Sequence, residues 1–141
     1  MTPPDALAGK RFLIAEDNAF ARDALCELLA AHEAKATAAE DGAEAVRLFA
    51  RSGEGTYEVV LLDLDMPGKG GCAAARAIRR MRRRDAGQVL IFALTAAPPQ
   101  YAAHEAEDSG MDACLLKPLH MQELAGVLAR AEGCPGMGGT A

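Results

Sequence analysis

VVLLDLDMPGKGG occupies residues 59–71 and combines an apolar run, acidic residues and a glycine-rich loop. Four consecutive apolar residues before Asp63 are typical of a strand that is covered on both faces of a parallel sheet. An aspartate directly after such a strand is a candidate nucleophile, but aspartate is also common there as a turn residue or helix N-cap. The function of Asp63 therefore depends on what the rest of the chain supplies.

Apolar runs and amphipathic stretches alternate on both sides of this segment. The runs are Phe12–Ala15, a weaker one at Ala36–Ala39, Val59–Leu62, Val89–Leu94 and Ala113–Leu116. The amphipathic stretches, predicted as helices, are Ala19–Ala31, Ala43–Ala50, Ala73–Met81, Gln100–Ser109 and Leu119–Ala131. This alternation predicts a single α/β domain with five strands and five helices around a parallel sheet. We expect the domain at 9–131, with flexible tails at 1–8 and 132–141, where Pro or Gly is frequent.

The composition argues against several classes of protein. The chain has 141 residues, enough for one domain, and its net charge is −5. It shows no secretory signal, no membrane-spanning run and few aromatic residues for stacking on nucleic acid bases. Its four cysteines form no CxxC pair, which predicts reduced thiols in a cytoplasmic protein. We expect a monomer or weak dimer that contacts neither nucleic acid nor membrane.

Polar residues follow four of the five predicted strands. Glu16 and Asp17 follow the first strand, and Asp63, Thr95 and Lys117 end the third, fourth and fifth. Since the carboxyl ends of parallel strands open onto one crevice, these side chains are predicted to converge there. Carboxylate oxygens suit Mg²⁺, which would offset the repulsion among the three acidic groups. Asp63 would then attack phosphorus as a nucleophile, while Lys117 and Thr95 stabilise the transferred group.

In this order the motifs resemble the response-regulator receiver family over about Gly9 to Ala131. They are FLIAEDN (12–18), VVLLDLDMPGKGG (59–71), FALTA (92–96), which contains the Thr95-Ala96 pair, and LLKP (115–118). The resemblance implies a flavodoxin-like (βα)5 doubly wound sheet with strand order 2-1-3-4-5. It also implies a signalling phosphoacceptor rather than an enzyme, with a histidine kinase or a histidine phosphotransfer protein as the phosphoryl donor. LAGKRFLIAEDN (7–18) resembles receivers of hybrid histidine kinases, so a stand-alone regulator and a domain of a larger protein both stay open.

The resemblance also assigns expectations to single positions. The backbone carbonyl of Asp65 is the fourth Mg²⁺ ligand in such proteins, and the Lys117–Pro118 bond is cis. Asp65 and Ala97 border the path of the hydrolysing water. Cys114 stands where receivers have an aromatic residue that moves with the threonine, so we expect little change on the usual output surface. Tyr101 is a candidate substitute for that aromatic residue.

Two functions from other classes compete with this interpretation. A haloacid-dehalogenase-like phosphatase also uses an aspartate after a buried strand in a DxD arrangement, which Asp63-Leu64-Asp65 fits. Its acidic metal pair should follow the lysine, however, whereas Glu16 and Asp17 precede Asp63. The other alternative is a receiver-like binding module that works without phosphorylation. The sequence contains no recognisable DNA-binding motif. Whether the receiver is phosphorylated or not, we therefore expect its output to go through protein contacts.

Six arginines cluster on and after the third predicted helix. They are Arg76, Arg79, Arg80, Arg82, Arg83 and Arg84. A solvated helix face explains such a cluster without any partner. The alternative is an electrostatic docking surface for an acidic protein.

Overall fold

The computed structural model describes residues 7–66, 70–97 and 99–137. Within them, five strands alternate with five helices. The strands are β1 (Arg11–Ala15), β2 (Lys35–Ala39), β3 (Val59–Asp63), β4 (Leu90–Thr95) and β5 (Ala113–Leu116). The helices are α1 (Ala19–Ala31), α2 (Gly42–Arg51), α3 (Gly70–Arg79), α4 (Pro99–Asp108) and α5 (Met121–Met137). Every strand and helix predicted from the sequence is therefore present, including the weakly apolar second strand.

All five strands are parallel, in the order β2-β1-β3-β4-β5. This is the predicted flavodoxin-like order. β2 is weakly apolar because it lies at the edge of the sheet, where three of its five residues are exposed. In contrast, all five residues of β3 are buried at the centre of the sheet, as expected for a strand covered on both faces.

The core lies on both faces of the sheet, because successive side chains of a strand point to opposite sides. Leu13, Val60 and Leu62 pack with α2, α3 and α4. Ile14 and Leu61 belong to the other cluster, which packs with α1 and α5. These layers hold the carboxyl ends of β1, β3, β4 and β5 at one edge of the molecule, which is the edge that carries the predicted site.

The starts of two helices at that edge depend on local contacts. The side chain of Asn18 caps α1 by accepting a hydrogen bond from the N–H of Ala21 at 2.8 Å. Gly71, in the first turn of α3, lies so near the end of β3 that a Cβ atom there would be 2.9 Å from the carbonyl oxygen of Asp63. A glycine is therefore needed for α3 to begin directly beside Asp63.

Helix ends differ from the predicted ones by a few residues. α3 begins at Gly70 rather than at the predicted Ala73. Glycine by itself disfavours a helix, so the two glycines were not included in the prediction, but the close approach beside Asp63 places them in the first turn. α5 runs from Met121 to Met137 rather than from Leu119 to Ala131. Extending an existing helix costs less than starting one, which allows α5 to include residues of poor helix propensity. The flexibility of the predicted tails at 1–8 and 132–141 stays a prediction; residues 1–6 and 138–141 lie outside the described residues, whereas 132–137 belong to α5.

Two members of the arginine cluster make structural contacts, so neither a solvated face nor a docking surface accounts for the whole cluster. Arg79 donates hydrogen bonds to the carbonyl oxygens of Gly110, Ala86 and Val89 at 2.8–3.0 Å. Arg83 forms an ion pair with Asp85 whose nitrogen–oxygen distances are 2.7 and 2.9 Å. The other four arginines of the cluster are exposed. The sequence alone does not distinguish an arginine that donates hydrogen bonds to backbone carbonyl oxygens from one that is exposed to solvent.

Candidate functional site

The predicted site residues converge at the carboxyl edge of the sheet. Glu16, Asp17 and Asp63 each offer a carboxylate oxygen, and these three atoms lie within 4.8 Å of one another. The ammonium nitrogen of Lys117 is 2.9 Å from Oδ1 of Asp63 and 4.0 Å from Oε1 of Glu16. Thr95 is linked to them through the carboxylate of Asp65. The spatial arrangement inferred from the sequence is therefore present, while the chemical roles of these residues stay predictions.

Backbone hydrogen bonds hold the strand ends in register at this edge. The N–H of Glu16 donates to the carbonyl oxygen of Ala39, and the N–H of Lys117 donates to that of Thr95 at 2.9 Å. Asp63 is paired with Leu94 across β3 and β4. The Lys117–Pro118 bond is cis, which confirms that prediction.

The acidic groups differ in exposure. Glu16 and Asp63 are only 4% and 1% exposed, whereas Asp17 is exposed. Burial raises the pKa of the Glu16 carboxyl to about 7; the N–H of Asn18 opposes this increase, and the nearby Asp63 carboxyl adds to it. Two acidic side chains buried side by side thus carry an electrostatic cost in the folded chain.

This arrangement fits the divalent cation predicted from the sequence. Three carboxylate groups meet at one point, and such hard oxygen donors are the ligands that Mg²⁺ prefers. A cation there would neutralise the repulsion between Glu16 and Asp63. The predicted fourth ligand, the carbonyl oxygen of Asp65, belongs to the turn that directly follows β3, and the N–H of Asp65 donates to Oδ1 of Asp63 at 2.8 Å.

The sequence placed Asp65 beside the path of the hydrolysing water, but the contacts of its side chain with the other site residues were not predicted. Its Oδ1 accepts a hydrogen bond from the Thr95 hydroxyl at 3.1 Å, and its Oδ2 accepts one from the N–H of Ala96 at 2.9 Å. Oδ2 also lies 3.2 Å from the ammonium nitrogen of Lys117. Burial alone would raise the pKa of Asp65, but the Ala96 N–H, Lys117 and Thr95 together lower it. Only the presence of an acid two residues after Asp63 could have signalled this role.

Lys117 is the cation of the site. Burial tends to lower its pKa, but the hydrogen bond and charge of Asp63, together with Asp65 and Glu16, raise the pKa above its usual value. The ammonium group therefore stays protonated at neutral pH and holds a permanent positive charge between the two aspartates.

The positions connected with signal output lie around β4 and β5. Ala96 is exposed, and Ala97, which is half-buried, donates its N–H to the Thr95 hydroxyl at 3.1 Å. Cys114 is half-buried, and burial followed by the charge of Asp65 raises its pKa. It lines a cavity of about 240 Å³ between α4 and β5. The side chain of Tyr101 lies outside the described part of the chain, so its suggested role stays a prediction.

An apolar cleft of about 390 Å³ adjoins the site between α1 and the residues after β5. Leu25, Leu28, Pro118 and Leu119 line it, together with Glu16 and Lys117 of the site. On the same helix Phe20 is 84% exposed, although it belongs to the apolar pattern that predicted α1. A single exposed apolar residue is common on protein surfaces, so it is the apolar cleft, rather than Phe20 alone, that marks α1 as a candidate interaction surface.

Fold and site together define the class of this protein: a doubly wound α/β domain of flavodoxin type with an acidic cleft at the carboxyl ends of its strands. The family model described as "Response regulator receiver domain" matches residues 12–129. The chain therefore belongs to the response regulator receiver domain family, the phosphoryl-accepting modules of two-component phosphorelays.

Similar proteins and solved structures are consistent with this family. Over 122 residues, 85% of this chain, it is 33% identical to the peroxide stress-activated histidine kinase mak2 of Schizosaccharomyces pombe. The receiver domain of a Pseudomonas aeruginosa sensor histidine kinase, solved with magnesium in its active site cleft, is 32% identical with a TM-score of 0.76, covering 89% of this chain and 99% of that one. The Ssk1 receiver structure of Saccharomyces cerevisiae, solved with the phosphotransfer protein Ypd1, is 28% identical with a TM-score of 0.73 and 92% coverage of both chains.

The curated relatives are much longer than this chain, so the match covers only a small part of each of them. The chain spans between 5% and 19% of the length of such relatives, most of which are histidine kinases. The family match does not favour the haloacid-dehalogenase-like alternative or the phosphorylation-independent module. Within the residues that the structure describes, no helix combines the length and apolar character needed to cross a bilayer.

Proposed function

We propose that Asp63 accepts a phosphoryl group from a phosphohistidine donor, in a Mg²⁺-dependent reaction assisted by Lys117 and Thr95. The observation that carries the proposal is the position of Asp63: it is almost fully buried, with the Lys117 ammonium group 2.9 Å from Oδ1 and the Glu16 and Asp17 carboxylates beside it. A single carboxylate held among these groups is oriented before any donor arrives, which lowers the entropic cost of the reaction.

The chemistry follows from the charges of these groups. A carboxylate oxygen of Asp63 attacks phosphorus, the bond between phosphorus and the imidazole nitrogen of the donor breaks, and an acyl phosphate forms. Mg²⁺ held by Glu16, Asp17, Asp63 and the Asp65 carbonyl would neutralise charge on the transferred group. Lys117 offers a fixed positive charge, and Thr95 a hydroxyl donor, to the phosphoryl oxygens. Hydrolysis of the same acyl phosphate would return the chain to its initial state.

We infer that the donor is a histidine kinase or a histidine phosphotransfer protein that docks on α1. The apolar cleft lined by Leu25 and Leu28 also has Glu16 and Lys117 in its lining, and Phe20 of the same helix is exposed. A helical donor with an apolar face could cover these side chains while its phosphohistidine reaches Asp63. The complex of a related receiver with Ypd1 supports a partner of this class. Location in the cytoplasm is part of the same proposal, because such donors act there.

Intact mass measurement tests the phosphoacceptor role. The chain is incubated with acetyl phosphate or phosphoramidate and Mg²⁺, alongside Asp63→Ala and the control Asp108→Asn, whose exposed carboxylate ends α4 at the far edge of the sheet. We expect the wild type and Asp108→Asn to gain one phosphoryl group, and Asp63→Ala to gain none. Chelation of the metal should prevent the gain.

Two outcomes would contradict the proposal. Labelling of Asp63→Ala to the wild-type extent would assign the phosphoryl group to another residue. Absence of label from every small donor and from a phosphorylated histidine phosphotransfer protein would favour the phosphorylation-independent binding module.

A further inference from the structure

Three donors at the mouth of the site converge on one carboxylate, that of Asp65. The Thr95 hydroxyl, the Ala96 N–H and the Lys117 ammonium group lie 3.1, 2.9 and 3.2 Å from its oxygens. The side chain is fixed although it is 37% exposed, so its position results from these three contacts rather than from packing. A carboxylate that accepts from a hydroxyl on one oxygen, and from an N–H and an ammonium group on the other, is bound strongly for a surface group.

Two of these three donors, Thr95 and Lys117, are also the ones that a phosphoryl group on Asp63 requires. Lys117 bridges the two carboxylates, with its nitrogen 2.9 Å from Asp63 and 3.2 Å from Asp65. Thr95 and Lys117 are the hydroxyl and the ammonium group that stabilise the transferred phosphoryl group in the proposed reaction. A phosphoryl group brings three acceptor oxygens and close to two negative charges. The Thr95 hydroxyl and the Ala96 N–H have one donor hydrogen each, so two anions cannot use these two donors at the same time, whereas the three hydrogens of the Lys117 ammonium group can be shared.

We propose that the Asp65 side chain is an internal occupant of the phosphoryl-binding position, and that it must leave Thr95 and Ala96 before Asp63 can hold a phosphoryl group. This inference rests on the proposed function. Asp65 is thus a positioning residue that slows loading of the site, because its negative charge both competes for the donors and repels the incoming anion. It also keeps the Thr95 hydroxyl directed into the site in the unmodified chain.

The consequence for signalling concerns the size of the structural change. When a phosphoryl group replaces the Asp65 carboxylate, Thr95 and Ala96 exchange one anionic acceptor for another. Their backbone then moves less than in a site where the donors are free beforehand. Together with Cys114, which has no ring to reorient, this makes the unmodified chain resemble the modified one around β4 and β5.

The test is a titration with beryllofluoride, a stable phosphoryl analogue, followed by amide chemical shifts at saturating Mg²⁺. The variants are Asp65→Asn, which keeps the shape and the backbone carbonyl but removes the charge, and Asp108→Asn, which removes one exposed carboxylate elsewhere. Loss of a competing charge-assisted contact should lower the half-saturating beryllofluoride concentration at least about tenfold in Asp65→Asn. Asp108→Asn should match the wild type.

A second readout needs no ligand. In the free protein, the amide proton of Ala96 should move upfield in Asp65→Asn, because a neutral amide oxygen is a poorer acceptor than a carboxylate. Equal beryllofluoride affinity in the wild type and Asp65→Asn would overturn the inference and leave the proposed function intact. If no variant binds beryllofluoride, the proposed function is wrong and the inference with it.

Discussion

Removal of Asp85 should destabilise the fold through the arginine that it neutralises. Both oxygens of Asp85 contact the Arg83 guanidinium, at 2.7 and 2.9 Å, and Oδ2 also accepts the N–H of Gly55 at 2.9 Å. The guanidinium donates further to the carbonyl oxygens of Phe49, Ser52 and Gly53 at the end of α2, and stacks 4.5 Å from the centre of the Phe49 ring. Asp85→Ala leaves this group without its counter-ion.

The magnitude follows from the burial of the pair. The two side chains are only 11% and 12% exposed. Breaking a buried ion pair by removing one partner costs about 3–5 kcal/mol, because the other charge stays desolvated. The remaining carbonyl contacts of Arg83 compensate in part, so we expect Asp85→Ala to lower the free energy of unfolding by about 3 kcal/mol. Replacing both partners, as in Arg83→Leu with Asp85→Ala, should cost less than the sum of the single changes.

Urea unfolding followed by circular dichroism measures this difference, with the midpoint shifting and the slope unchanged. Arg82→Ala is the matched control, because Arg82 is an exposed neighbour in the same cluster; its effect should stay within about 0.5 kcal/mol. If Asp85→Ala costs under about 1 kcal/mol, or Arg82→Ala costs as much, the structural role of the pair is refuted.

The same pair predicts a dependence on pH. Hydrogen bonds from Arg83 hold the pKa of Asp85 below its usual value. Burial raises this pKa, and the N–H of Gly55 lowers it further. A carboxyl whose pKa is lower in the folded chain contributes stability above its unfolded pKa of about 3.9, and this contribution is lost as the pH falls through the folded pKa. The gap in unfolding free energy between the wild type and Asp85→Asn should therefore be constant above about pH 5 and narrow below about pH 4.

Three further predictions concern partners and output. Phe20→Ala should slow phosphoryl transfer from a phosphorylated histidine phosphotransfer protein at least severalfold but leave labelling by acetyl phosphate unchanged, since Phe20 is exposed and outside the acidic cluster; equal slowing with both donors would contradict a docking role. Charge reversal of Arg80 and Arg82, which leaves the structural arginines in place, should slow association with an acidic partner at low salt, and an unchanged on-rate would remove the docking hypothesis. Beryllofluoride should shift the amide of Cys114 less than that of Thr95; equally large shifts would show that a thiol transmits the signal as an aromatic ring does.

Local patterns sufficed for the elements of the fold and for a parallel sheet, whereas the strand order came from the family resemblance. Near-continuous apolar runs such as Val59–Leu62 identify strands that are buried on both faces, and the carboxyl ends of parallel strands must share an edge. For this reason the meeting of Glu16, Asp17, Asp63 and Lys117 could be predicted from their positions after the strands. The cis bond at Lys117–Pro118 came from the family resemblance rather than from periodicity.

The sequence by itself determined which elements form, their order and the acidic residues at the edge of the sheet, because these depend on the periodicity of a few neighbouring residues. Only the tertiary structure decided what each polar side chain contacts. It showed that Asp65 accepts hydrogen bonds from Thr95 and Ala96. It also showed that Arg83 donates to a carbonyl oxygen near the end of α2, and that Phe20 faces solvent. These contacts join residues about thirty or more positions apart in the chain, or depend on the rotation of a helix against its neighbours. No local pattern encodes such distances, since the packed layers of the core set them.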